Sequence, residues 1–443
     1  MLTKMKNIKY IYLLLILSII SCDDYLDIEP VGQVIPKSVE EYRSFLTSAY
    51  SSSKDYKVLT TYRTDELSLE DDAVGIEQYE DIFVWNDLNP SPLVRSFPYA
   101  SLYNTVFYTN HIIDNASIIE GNETERDQLV GEAYALRAMQ YFELVNLYGK
   151  TYNASSAGTD LGVPITTVYD SDKVYHVQTV QKVYDLILND IEKAEELLNV
   201  DMQATGLNYR FSLVSIKSFK SRVYLFQNEW QKSIDLANQA IAIKSELQDL
   251  NTDLTIMASE YNSVESILAL ETISSFDIAN NASISSDLIS VYDQVNDLRF
   301  GIYFSENSDG SFNSKKSADS KFKSSYRTSE LYLSIAEANA KLNELDLAKQ
   351  NLIEFTENRY TSVGWEAFKL KIAPMNQTEL ITEILEERRK EFAIEGHRWN
   401  DLRRTTQQKI TKIFGGKTYT LNQGDDRYVI PFPNDAVINN PNL

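Results

Sequence analysis

The sequence predicts an all-α protein in which tetratricopeptide-like helical repeats support a loop-rich half with minor β-structure. Three observations lead there. Apolar residues recur at helical spacing in several long segments, and two of these are followed by a short turn and a partner segment. Small residues stand where the paired segments would touch. Most of the prolines, with much of the asparagine and serine, fall in the stretches between.

The amino terminus comes first. Lys4, Lys6 and Lys9 precede the apolar run from Ile11 to Ile20, and Ser21 leads into Cys22, the one cysteine of the chain. Basic, apolar and small in that order is the pattern of a secretory signal, here residues 1–21. The run is too short to span a bilayer, which takes about 20 apolar residues. A cysteine at the cut site matches the lipobox of bacterial lipoproteins, whose thiol and new amine are acylated. The mature protein is thus expected to begin at Cys22 and to be anchored by lipid, several acyl chains holding more firmly than one.

Charge and cysteine usage narrow the functions. The 443 residues carry 42 basic and 64 acidic side chains, a net charge of −22. Without the three signal lysines the mature chain stands at −25, which repels phosphate backbones and argues against nucleic-acid binding. With Cys22 acylated no disulfide is available, so core packing must hold residues 22–443 together. That length, at 43% apolar, suffices for one large composite domain. The 28 tyrosines, against 18 Phe and 4 Trp, suit helix-pair interfaces and carbohydrate or peptide surfaces alike.

The helical segments follow in two blocks, within about 102–243 and 329–404. Leu102 to Ile119, Arg126 to Tyr148 and Val180 to Leu198 read as single amphipathic helices. Leu213–Phe226 with Glu229–Ile243, and Ser329–Leu342 with Asp346–Phe355, read as tetratricopeptide units. Asn228-Glu229 and Asn343-Glu344 make their turns, while Ser233, Ala237, Ala240, Ala336, Ala340 and Ala348 allow close packing. Such pairs bury their apolar faces only by stacking. A last long helix is expected over Gln377–Arg404, capped by Asn376 with Glu379 in a capping box. Residues 23–100, about 250–325 and 405–443 are expected as loops, short strands and minor helices packed on the repeats.

Catalytic patterns are missing. His111, His176 and His397 lie on different segments, and neither a zinc-binding HExxH pair nor a nucleophile elbow occurs. Gly415-Gly416-Lys417-Thr418 lacks the first glycine of a phosphate loop and reads as a hairpin turn. The cluster Asp65-Glu66 with Glu70-Asp71-Asp72 fits neither glycosidase nor calcium-loop spacing and reads as a solvated face. No metal or other cofactor is expected, and the chain is read as a non-enzyme.

Six motifs in order carry a resemblance. These are Cys22 to Pro30; Gly131 to Ala138 with Tyr141-Phe142 and Leu147-Tyr148-Gly149; Gly162-Val163-Pro164; and Glu330 to Leu333 with Ala336-Glu337-Ala338. The fifth is Glu387 to Phe392 with Glu395 to Trp399 and Asp401 to Arg404, and the last is Ile430 to Pro433 with Asn440 to Leu443. Together they resemble the SusD/RagB family of surface nutrient-binding lipoproteins. The resemblance implies a helical fold whose repeat side packs on a SusC-like TonB-dependent transporter, with ligand held by the loop-rich part. It implies a place on the outer face of the outer membrane. Arg388, Arg398, Trp399 and His397 read as framework.

On that reading the ligand is an oligosaccharide or polysaccharide, captured without covalent chemistry and delivered to the transporter. Peptide capture of the RagB kind is the rival, and a protein-interaction scaffold is a third possibility. Sugars stack on flat aromatic faces beside polar groups. Trp85, flanked by Tyr79, Phe83 and Asn86, is the leading candidate platform, with Tyr56, Tyr62 and Tyr292 as weaker candidates beside Asn280-Asn281.

Overall fold

In the computed structural model the described residues are 36–52, 56–168, 174–252, 255–273, 275–316 and 319–443. The signal segment and Cys22 lie outside the described residues. The principal helices are α1 (Val39–Ser52), α2 (Lys57–Arg63), α3 (Ala100–Asp114), α4 (Glu123–Tyr148), α5 (Val180–Leu197), α6 (Leu213–Phe226) and α7 (Trp230–Ile241). They continue as α8 (Thr328–Lys341), α9 (Leu345–Glu357), α10 (Ser362–Ile372), α11 (Gln377–Glu391) and α12 (His397–Arg404). The fold is the all-α class that the sequence predicts.

Helix α4 is the spine. Asn122 caps it by accepting from the Glu125 amide at 3.1 Å, and from Gln128 to Tyr148 almost every side chain is buried. It has little amphipathic character because α3 and α5 cover it from different sides. Gly131 lets the end of α5 close in: a Cβ there would stand 3.0 Å from the Leu198 amide nitrogen.

The two repeat units are built alike. Asn228 and Asn343 both adopt the left-handed conformation, at φ 62° and 65°, which asparagine tolerates better than most residues. Each turn closes with the same hydrogen bond, Glu229 amide to Tyr224 carbonyl and Glu344 amide to Asn339 carbonyl, both at 2.9 Å. Ser233, Ala237, Ala240, Ala336, Ala340 and Ala348 are all fully buried, as their small size suggested. Helix α8 packs on α7, α9 and α11, so the second unit stacks on the first.

The expected single helix over Gln377–Arg404 is two helices. The capping box at Asn376 and Glu379 is present, but α11 ends at Glu391. Ile394 (φ 60°) and Gly396 (φ 75°) then reverse the chain before α12. The cause is α2: a Cβ on residue 396 would lie 2.4 Å from Lys57 Cβ, so the chain must turn at a glycine there. Helices α1 and α10 also form, α1 within a stretch expected as loop; its apolar stripe of Tyr42, Leu46, Ala49 and Tyr50 is diluted by Ser and Thr.

The loop-rich segments knit together through short antiparallel pairs. Leu67–Leu69 pairs with Ala282–Ile284, and Ser266–Leu268 with Tyr326–Arg327. Ile410–Phe414 and Lys417–Leu421 form the expected hairpin, with Gly415 and Gly416 at φ 57° and 69° as its two-residue turn.

Beneath them lies a buried network of charge. Arg299, Arg327, Arg359, Lys316 and Lys390 interlock with Glu265, Asp297, Glu387, Glu391 and Glu395, five cations against five carboxylates. All ten are under 5% exposed. Buried charges persist only when paired in this way. The Glu387–Glu395 run is therefore structural, placed to clamp α11 against residues 265–359.

Candidate ligand cleft

A cleft of about 840 Å3 is assembled from remote parts of the chain: residues 95–101 with Tyr103, then Pro164, Thr166 and Tyr175, and Pro433 to Asn440, with Val58, Leu59 and Ser275 completing it. Tyr99 and Tyr103 stand one turn apart at the start of α3 and share a face of the helix, their ring centroids 4.8 Å apart. The Tyr103 hydroxyl donates to the Pro164 carbonyl at 2.7 Å. Thr166 is fixed in turn, its amide donating to the Tyr141 hydroxyl at 2.8 Å and its carbonyl accepting from Asn110 at 3.1 Å. On the far wall, the Asn440 side chain donates to the Tyr175 carbonyl at 2.7 Å. Phe432 anchors that wall, stacked on Tyr148 at 5.5 Å and edge-on to Tyr99 at 5.7 Å.

Burial raises the Tyr99 phenol to about 12 and pushes Tyr103 well up. Both hydroxyls therefore stay protonated at neutral pH. Among the described residues Arg95 is the cleft's one cation, half exposed, its guanidinium donating to the Tyr79 hydroxyl at 2.7 Å and to Asp277 at 3.2 Å. Asp435, Asn439, Ser96, Ser101 and Ser275 supply the remaining polar edges. A neighbouring cleft of about 480 Å3, lined by Asp81, Asn86 and Asp87, shares Arg95, Ser96, Phe97, Pro433 and Asp435 with it. The two form one trough. Half-buried phenol rings beside convergent amides and hydroxyls can hold a ligand with both apolar faces and hydroxyl edges.

Of the predicted platform, only Asn86 reaches this trough. Trp85 is 2% exposed; its indole N–H donates to the Arg63 carbonyl at 3.0 Å and the Lys412 ammonium sits 4.4 Å over its ring. A ring sealed on both counts offers no face to a sugar, so Trp85 is corrected to a core residue. Tyr62 and Tyr79 are likewise buried, stacked on each other at 4.5 Å directly beneath Arg95. Tyr56 is buried beside α2, and Tyr292 is buried with its hydroxyl donating to the Lys390 carbonyl at 2.6 Å. Tyr62 and Tyr79 form the layer beneath the cleft. Tyr99, Tyr103, Tyr175 and Arg95, absent from the sequence expectation, carried one usable signal: Arg95-Ser-Phe-Pro-Tyr places aromatics beside a proline just before a helix, where loops present side chains outward.

The framework residues behave as the sequence suggests. Trp399 is fully buried, stacked on Tyr428 at 5.1 Å, and Arg388 pairs with Asp401 at 3.2 Å. His397 lies flat on Phe392 at 4.4 Å; burial, then the charges of Lys57 and Arg222, hold it well below the ordinary histidine range. The acidic cluster needs correction. Glu70, Asp71 and Asp72 are exposed, but Glu66 is buried and Asp65 is ion-paired with Arg398 at 2.6 Å.

Comparison with known proteins places this architecture. Residues 24–225 match the SusD-like family described as starch-binding and associating with the outer membrane, and residues 224–443 match the SusD family. The chain belongs to the SusD/RagB family. Among curated relatives, SusD-like protein P38 of Formosa agariphila is 29% identical over 253 residues, 54% of this chain; the chain spans about half (46%) of that relative's length. A SusD superfamily protein from Bacteroides thetaiotaomicron superposes with a TM-score of 0.75 at 20% identity, covering 91% of this chain and 98% of its own. A laminarin-binding SusD-like protein superposes with a TM-score of 0.63 at 19% identity, covering 83% and 92%. At these identities the structural likeness shows the fold. No helix among the described residues is long and apolar enough to cross a membrane.

Proposed function

We propose that this protein is a surface lipoprotein that captures a glycan non-covalently in the Tyr99 cleft and passes it to a SusC-like TonB-dependent transporter. The cleft carries the reading: tyrosine rings flank amide and hydroxyl groups on a rigid helical base, the pairing that a sugar's CH faces and hydroxyls require. A relative of the same fold binds laminarin, which is consistent with it. Tethering would come through acylated Cys22, and the acidic residues after it fit an export signal to the outer leaflet. Capture needs no chemical step, and the protein would act as a binding partner rather than an enzyme.

Peptide capture is the second reading, favoured by one observation. The cleft holds no tryptophan but does hold Arg95 and Asp435, opposite charges suited to a peptide's ends or side chains. Calorimetry on the chain beginning at Asp23, with a polysaccharide and oligosaccharide panel beside a peptide digest, separates the two. Saturable binding to one glycan class that Tyr99→Ala weakens supports the proposal. Binding confined to peptides replaces it, and copurification of a barrel from membranes tests the transporter.

A further inference from the structure

A second cleft, of about 720 Å3, shares no lining residue with the trough around Arg95. Its walls include Tyr50 at the end of α1, Asn208, Tyr209, Tyr261, Thr272 and Lys323. Tyr50 and Tyr209 meet edge to face at 5.4 Å, and Tyr261 is exposed at the rim. Thr272 and Lys323 face each other across an antiparallel bridge, so their side chains leave the backbone on the same side.

The charge pattern of this cleft is out of keeping with the chain. The sequence has 64 acidic residues to 42 basic, yet among the described residues no carboxylate lines the cleft and Lys323 is its one charged side chain. The carboxylates close by are committed elsewhere. Glu132, behind Tyr50, is held by Arg43 at 2.7 Å and Arg210 at 2.8 Å. Glu271 pairs with Lys57 at 3.1 Å, and Glu260 with Lys321 at 3.0 Å. Among the described residues Lys323 has no ion pair of its own. A half-buried lysine with no ion pair among the described residues, in the wall of a cleft shared with tyrosines and hydroxyls, attracts an anion that also has a ring to stack.

We propose that this cleft is a second binding site, for an acidic saccharide, with Lys323 engaging a carboxylate or sulfate ester and the more exposed Tyr209 and Tyr261 contacting the sugar ring. The inference rests on the glycan reading above and deepens it: one surface takes saccharide irrespective of charge, and the other selects for a negative group.

The test is calorimetry on the chain beginning at Asp23 with three matched oligosaccharide series: neutral, uronate-bearing and sulfate-bearing. Acidic saccharide binding should weaken about tenfold in Lys323→Met, recover in Lys323→Arg and ignore Tyr99→Ala. Its affinity should fall as salt rises, while neutral binding follows Tyr99 and not Lys323. The uronate and sulfate arms tell which anion is read. If Lys323→Met lowers the melting temperature, the acidic-to-neutral affinity ratio of the unaltered chain at low and high salt decides. Acidic binding indifferent to Lys323 and to salt, or an acidic peptide bound as tightly through Lys323, overturns the inference. Binding of neutral saccharides alone overturns it and leaves the glycan reading intact, whereas silence from all three series removes both.

Discussion

Asp65 accepts from both Nε and a terminal nitrogen of Arg398, at 2.9 and 2.6 Å, and so joins residues 333 positions apart. Burial pushes the Asp65 carboxyl up, but Arg398 and Arg389 outweigh it and hold it at about 2. The pair's contribution is present above the unfolded carboxylate range near pH 4 and is lost as pH falls toward 2. Arg398→Ala leaves the carboxylate to Arg389 at 3.5 Å and Gln408 at 3.1 Å and should cost about 2 kcal/mol in urea unfolding at pH 7. Asp65→Asn should remove the acid-side loss; an unchanged acid limb in that variant would refute the assignment.

Glu66, next in the chain, titrates the opposite way. Burial and the Asp65 charge raise it to about 7, although the Ile394 amide donates to it at 3.2 Å. Its folded value lies above its unfolded one, so its contribution is fully present below about pH 4.5 and is lost as pH rises through about 7. Glu66→Gln should flatten the stability profile between pH 5 and 7 and equal or exceed the parent above pH 7. A steeper profile in the variant would contradict this.

The repeat turns offer a backbone test. At Asn228 and Asn343 the left-handed conformation penalises any ordinary side chain by about 1–2 kcal/mol. Alanine at either site should lower stability by about 1 kcal/mol, and glycine should be near neutral. Equal effects of Ala and Gly would mean the asparagine side chains matter for something else.

Trp85 and Tyr99 should separate stability from binding. Trp85→Phe loses the bond to the Arg63 carbonyl and part of the ring under Lys412, and should lower the melting temperature with glycan affinity unchanged. Tyr99→Ala should weaken glycan binding about tenfold, or about 1.4 kcal/mol, by calorimetry. Loss of binding in Trp85→Phe at full stability would restore the tryptophan as the platform.

The helices were legible because their signals are local. Small residues at fixed spacing in the repeats, the capping box at Asn376 and the twin glycines of the hairpin each act within a few residues. The break at Gly396 was not, because it answers to Lys57, far away in sequence. The cleft was illegible for the same reason. Nothing near Tyr99 states that Pro164 and Asn440 will close around it, and nothing near Trp85 states that Lys412 will cover it. Aromatic residues mark a neighbourhood; long-range packing decides which of them face outward.

The contacts that close the fold also set when it can form. Arg63 donates to the Arg427 carbonyl, Lys412 to the Tyr62 carbonyl and Gln408 to Asp65, each spanning more than 340 residues. Loops that long are slow to close by chance encounter. The amino-terminal helices can collapse early, but the segment around residues 57–87 must wait for nearly the whole chain before its polar groups are satisfied. The junction of the two family matches, at residues 224–225, lies inside α6 and marks no point where synthesis could pause on a finished unit. That segment is completed only when residues 408–427 are at hand to meet it.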